Sequence, residues 1–153
     1  MSDHTRPSDT ASVVRLGPKG PELVDMRWGW HPREGTEPVI NVRAETADLT
    51  TNRCLVPATE FTLFTGAGHP KRRWTVTLRA EHLFFFAALW AEATADWPES
   101  YAIITIEAAP DLAPLADRQM AVIRPADARA WLMSSEAYKL LAPLEAGSYD
   151  VDE

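Results

Sequence analysis

The chain has 153 residues, 46% hydrophobic and 24% charged, and its 15 Lys and Arg against 22 Asp and Glu leave a formal charge of −7. A chain of this length buries roughly 70% of its unfolded surface in one core, which predicts a single folded domain and excludes disorder throughout. The longest apolar run, at 83–90, falls far short of the roughly twenty residues of a membrane-spanning helix, and the polar start has no secretory signal, so a cytoplasmic protein without a membrane partner is expected.

Twelve prolines cut the chain into short pieces, because each removes a backbone donor and restricts the residue before it. β-Branched and aromatic residues recur at period two in 12–16, 22–28, 53–56, 61–64, 74–78, 83–89, 101–106 and 120–123. Turn clusters such as 17–21 and 66–70 separate them, which predicts half-buried strands. Helix is predicted late in the chain. Pro125 suits a first helical position, Asp127 lies in the first turn, and Ala128, Trp131 and Leu132 repeat at helical spacing. A second short helix is predicted at 135–141. Beyond Pro143, Glu145, Asp150, Asp152 and Glu153 have no basic companion, so 144–153 is read as a solvated, flexible acidic tail. The expectation is an α+β fold: one compact, mostly β domain over 1–143 with short helices near the C-terminus.

The acidic balance argues against gripping nucleic acid by bulk charge and leaves room only for a local basic edge. Asn41 and Arg43 differ by two, so on a strand they share a face, where an amide beside a guanidinium can receive a phosphate or a base edge. The bland alternative is an Asn at a bend and an Arg43 paired with Glu45 or Asp117. Trp28 and Trp30 would share a strand face, as core or as a stacking platform. The densest basic cluster, 69–74, holds Lys71, Arg72 and Arg73 beside Trp74, and reads equally as a phosphate-tracking edge or a solvated hairpin loop. The lone cysteine, Cys54, sits in an apolar run, which predicts an inert buried thiol and excludes a disulfide framework or thiolate zinc cage. His4, His31, His69 and His82 lack metal-ligand spacing, and no serine carries nucleophile-elbow glycines. No metal and no cofactor are expected.

Longer fragments carry more information when read together: MRWGWHP (26–32), INVRAET (40–46), RCLVPA (53–58), FFFAALW (84–90), IIT (103–105), Asp117-Arg118 and Trp131-Leu132. In that order and spacing, over about residues 6–133, the chain resembles the SOS-response-associated peptidase (SRAP) family. That family's pattern runs WGLxP, NARAET, RCLxPAxGFYEW, FAGLW, T, HDRMP and WL, and the NVRAET fragment is the sharpest match.

The resemblance implies a compact, largely β fold of twisted antiparallel sheets or an open barrel that binds single-stranded DNA at abasic sites. It also implies covalent chemistry: a cysteine after the initiator methionine captures the sugar aldehyde as a thiazolidine, assisted by the FYEW glutamate and the HDRMP histidine, with the NARAET asparagine orienting the reacting group. Here Ser2 follows Met1, an ungapped match puts Leu63 at the glutamate, and Ala116 falls at the histidine. Asn41, Arg43 and Arg118 remain of the family's polar pocket. The expectation is a catalytically degenerate SRAP-like pseudoenzyme that binds single-stranded or abasic DNA without covalent capture, in the DNA-damage response. Its nucleic-acid contacts would be Asn41, Arg43, Arg118, Trp28, Lys71, Arg72 and Arg73. Two alternatives stay open. One is a protein-interaction module or homodimer reusing the fold, and the other a residual Schiff-base or peptidase-like activity through the N-terminal amine.

Overall fold

The structure is a computed structural model that describes residues 5–66 and 71–153. Its strands are β1 (Thr10–Gly17), β2 (Gly20–Trp28), β3 (Asn41–Arg43), β4 (Arg53–Ala58), β5 (Phe61–Thr65), β6 (Arg72–Leu78), β7 (Phe84–Ala91), β8 (Ser100–Glu107), β9 (Arg118–Met120), β10 (Val122–Ile123) and β11 (Tyr149–Asp152). Among the described residues, helical structure is confined to a 3₁₀ turn at Pro125–Asp127, α1 at Ala128–Met133 and a second 3₁₀ turn at Ala137–Leu141. No helix among the described residues is long and apolar enough to cross a membrane.

Five strands close into a ring. β1 pairs with β2 and with β4, β4 with β7, and β7 with β8, all antiparallel. A short parallel seam, Arg27 to Ser100 and Trp28 to Tyr101, joins β2 to β8 and completes the circuit. The sheet therefore goes further than twisted antiparallel layers: closure leaves these five strands no open edge over the paired stretch. Past that stretch β8 pairs with β3 in parallel and with β9 antiparallel, so its C-terminal half carries a small outer shelf. The expected strand at 120–123 is split at Ala121, whose N–H bonds Ile104 on β8 while its carbonyl accepts from Ala87 on β7. The segment thereby crosses from one barrel strand to the other.

Alternate residues of the ring face inward, as period two requires. Val13, Met26, Cys54, Val56, Phe84, Phe86, Ala88, Tyr101 and Ile103 form the first core. The opposite faces carry Leu55, Ala87, Leu89, Ile104 and Ile106, which pack beneath Trp131 and Leu132 of α1. Trp131 is fully buried, and its indole N–H donates to the Cys54 carbonyl at 2.8 Å, so the helix is bonded to the barrel wall as well as packed on it. Burying a side chain of Leu55's size is worth about 1.5–3 kcal/mol.

A second sheet, in the order β11-β6-β5, covers the first core. Phe61 of β5 sets its ring edge-on against Phe84, Phe86 and Tyr149, with centroids 6.3, 5.6 and 6.3 Å away. Here the acidic tail departs from expectation: Tyr149–Asp152 is not solvated coil but a strand paired with β6 from Tyr149–Leu78 to Asp152–Thr75. Tyr149 is buried, the backbone N–H groups of Gly147 and Tyr149 donate to Asp111, and Arg79 and Arg72 neutralise Asp150 and Glu153. Those cations lie more than seventy residues earlier, which is why the tail looks unpartnered in sequence.

Candidate nucleic-acid interface

β3 owes its position to the turn before it. Gly29 adopts φ +126°, and a Cβ there would sit 2.8 Å from Pro38, so the chain can leave β2 sharply only with glycine at this point. The return run meets at an isolated Trp30–Val39 bridge and lays Asn41–Arg43 beside Ile103–Thr105. Val42 joins the second core, which leaves Asn41 and Arg43 exposed together on the other face. Among the described residues, the Arg43 side chain makes neither an ion pair nor a hydrogen bond.

Arg118 is engaged differently. At the start of β9 its guanidinium forms a fork with Glu45, at 2.6 and 2.8 Å, and donates again to the Thr105 carbonyl at 2.8 Å. The fork holds the Glu45 carboxyl far below the usual carboxylate range, at about 2. Glu45 therefore pairs with Arg118 and not with Arg43. The two partners lie in the NVRAET and Asp117-Arg118 fragments, 73 residues apart in the chain.

The two tryptophans do not share a face, because β2 ends at Trp28 and Gly29 redirects the chain. Trp28 packs on the first core, stacks on Tyr101 with centroids 6.3 Å apart and planes 8° from parallel, and donates to the Ile40 carbonyl at 3.0 Å. Trp30 packs on the second core and donates to the Leu89 carbonyl at 3.2 Å. Trp28 is half-buried, with one face stacked on Tyr101 and its N–H committed.

Leu63 and Trp74 are register partners in the second sheet, and Leu63 packs against the first core. Ala116 closes a turn by donating to the Leu112 carbonyl at 3.0 Å, two residues before Arg118. Neither side chain has a proton to give or accept. The basic run of the hairpin is split by its own strand geometry. Arg72 lies on the Trp74 side, with its guanidinium 4.7 Å from the indole centroid and paired to Glu153, whereas Arg73 is register partner to exposed Phe64 on the opposite side. Lys71 is exposed at the foot of β6. Ser2, His4 and His69 lie outside the described residues. Cys54 is fully buried inside the barrel, and burial pushes its thiol up, out of the range in which a thiolate forms.

A closed five-stranded ring with an outer shelf, a covering sheet and a polar Asn–Arg strand defines a compact β domain of a recognisable class. Its family follows from comparison of the whole sequence: the model of the SOS response associated peptidase (SRAP) family matches residues 2–153, and the chain belongs to that family. No curated protein matches by sequence. Among solved structures, a protein from Bacteroides thetaiotaomicron is 20% identical, with a TM-score of 0.75 over 94% of this chain and 73% of that one. A phage-related protein from Bordetella bronchiseptica is 22% identical, with a TM-score of 0.76 over 97% and 79%. Another Bordetella bronchiseptica protein is 19% identical, with a TM-score of 0.77 over 96% and 84%. At such identities the likeness is one of fold.

Proposed function

We propose that this SRAP-family protein binds single-stranded nucleic acid non-covalently, without the covalent abasic-site capture that the family resemblance implies. One observation carries the binding half: Asn41 and Arg43 are exposed side by side on β3, and Arg43 is uncommitted among the described residues. A guanidinium so placed is available to a phosphate, and the amide beside it to a base edge or sugar. The chemical half rests on Leu63 and Ala116. Schiff-base capture needs groups that give and take protons near the aldehyde, and an alkyl side chain and a methyl supply none. The chain's one cysteine is sealed in the barrel.

The cation inventory supports weak binding. Arg118 is held by Glu45 and Arg72 by Glu153, which leaves Arg43 as the uncommitted cation of β3 among the described residues, while exposed Lys71 and Arg73 belong to the second sheet. With so few phosphates neutralised, the affinity is expected in the range of roughly 10⁻⁴ to 10⁻⁶ M at physiological salt. The test is a titration with single-stranded oligonucleotides, with and without an abasic site, at two salt concentrations. Arg43→Ala should weaken binding and lower the salt slope by about one. An unchanged slope would remove β3 from the interface, and a heat-stable band on a denaturing gel with the abasic strand would sink the non-covalent half.

A further inference from the structure

Near the turn of the β1–β2 hairpin, where Arg15 pairs in register with Glu22, Arg15 bends over Trp90 with its guanidinium 4.6 Å from the ring centroid. Glu22 and Glu99 flank it at 3.2 and 3.1 Å. Beside this stack runs a groove of about 610 Å³, floored by Leu16 and Trp90 and rimmed by Glu22, Glu92 and Glu99. Leu16 and Trp90 also line a second groove of about 300 Å³ that continues past Asn52 to Leu132. Leu16 is 45% exposed, and Leu23, on the same outward face of the hairpin, is 69% exposed. None of these residues belongs to the β3 edge discussed above.

We infer that this groove docks a basic peptide segment with an apolar anchor, supplied by a partner protein. Charge complementarity selects the occupant. The first groove presents three carboxylates against one guanidinium, and that guanidinium is already held by two of them, which leaves Glu92 without an ion-pair partner among the described residues. Arg53, the cation of the second groove, donates to the carbonyls of Leu49, Trp131 and Ser134 and is committed to the protein's own backbone. A phosphate backbone would meet the Glu22–Glu92–Glu99 rim as a repulsive field, so nucleic acid is disfavoured here. A second copy of the chain carries its own −7 charge and is disfavoured for the same reason. A segment with Arg or Lys next to Leu or Phe meets both requirements, its cation at Glu92 and Glu99 and its aliphatic side chain on Leu16 and Trp90. The Arg15–Trp90–glutamate stack shows within the chain how this mouth holds a guanidinium.

The experiment uses the full chain and an acetylated Arg-Leu-Arg-Leu-Arg-Leu peptide, read by fluorescence polarisation at low and moderate salt, with an Arg-Ser peptide of equal length and charge beside it. Saturable binding of the Arg-Leu peptide, tighter than the Arg-Ser peptide, is expected. Glu92→Lys and Leu16→Ser should each weaken it by about fivefold, the upper end of what one exposed contact contributes. Glu145→Lys, an equal change of charge outside the groove, should leave it within about twofold. Glu92→Gln serves as the milder second variant, and unfolding midpoints verify that each variant is folded. Absence of saturable binding at low salt overturns the inference. So does an equal loss in Glu145→Lys, which would mean bulk charge alone, or binding of a labelled single-stranded oligonucleotide, measured without peptide, that Leu16→Ser weakens, which would mean that nucleic acid occupies the groove.

Discussion

Arg118 turns its guanidinium inward to Glu45 and Thr105, and the consequence is measurable as a proton equilibrium. Glu45 titrates near 2 when folded against an ordinary value of 4.5. A folded value below the unfolded one means that the pair's contribution to stability is fully present above about pH 4.5 and is lost as pH falls toward about 2. Arg118→Ala should therefore raise the Glu45 titration toward the ordinary carboxylate range, with the remaining backbone hydrogen bond and Arg43 holding it somewhat below, as followed by carbon NMR of its carboxyl. The stability gap between variant and parent should be widest at neutral pH and close under acid. Arg118→Lys keeps the charge but loses the fork, so it should recover only part of the shift. A Glu45 that titrates near 2 in Arg118→Ala would assign the depression to something other than this pair.

Among the elements, β11 shows how much a short terminal strand can hold. Tyr149 is 3% exposed, closes the aromatic group around Phe61, and accepts a hydrogen bond from Gln119 Nε2 at 3.1 Å. Tyr149→Phe should cost about 1 kcal/mol, because it removes that acceptor while Gln119 keeps its bond to the Met120 carbonyl. Tyr149→Ala should cost about 3–5 kcal/mol, since it opens a cavity between the covering sheet and the barrel. Chemical denaturation of the two variants checks both, and similar losses would mean that the hydroxyl, not the ring, matters. β3 works by the opposite logic, with one residue turned to the core and two to solvent, so its substitutions should affect binding before stability.

At the level of the whole molecule, the two cores share the barrel wall and are joined by the bond from Trp131 to the Cys54 carbonyl. A wall common to both cannot lose one packing face while keeping the other, so unfolding should be a single cooperative transition. Trp131 reports the second core by fluorescence, and Cys54 reports the first by alkylation, which should be undetectable in the native protein and appear only as it unfolds. Coincident midpoints are expected, with Trp131→Phe as the spectral control. Cysteine labelling well before the fluorescence change would mean that the barrel interior opens independently of the helix.

The sequence by itself determined most of the strands and the family. Period-two alternation in 12–16 and 22–28 is a local property of half-buried strands, the β-branched and apolar runs at 53–56 and 101–106 mark strands buried on both faces, and collinear fragments keep their order however the chain folds. It also placed Pro125, Trp131 and Leu132 in the late helical region, because turn chemistry and 3.6-residue spacing act over a few neighbours. Tertiary structure alone decided which charges are spent. Arg118 and Glu45 are 73 residues apart, and Arg72 and Glu153 are 81 apart, so no local pattern marks either pair. The same holds for the tail, which is a strand because Asp111, Arg79 and the edge of β6 wait for it, and for Trp28 and Trp30, parted by one backbone angle at Gly29. Local propensity sets what a segment can become, whereas desolvation and pairing across the fold decide which of its groups remain available to bind.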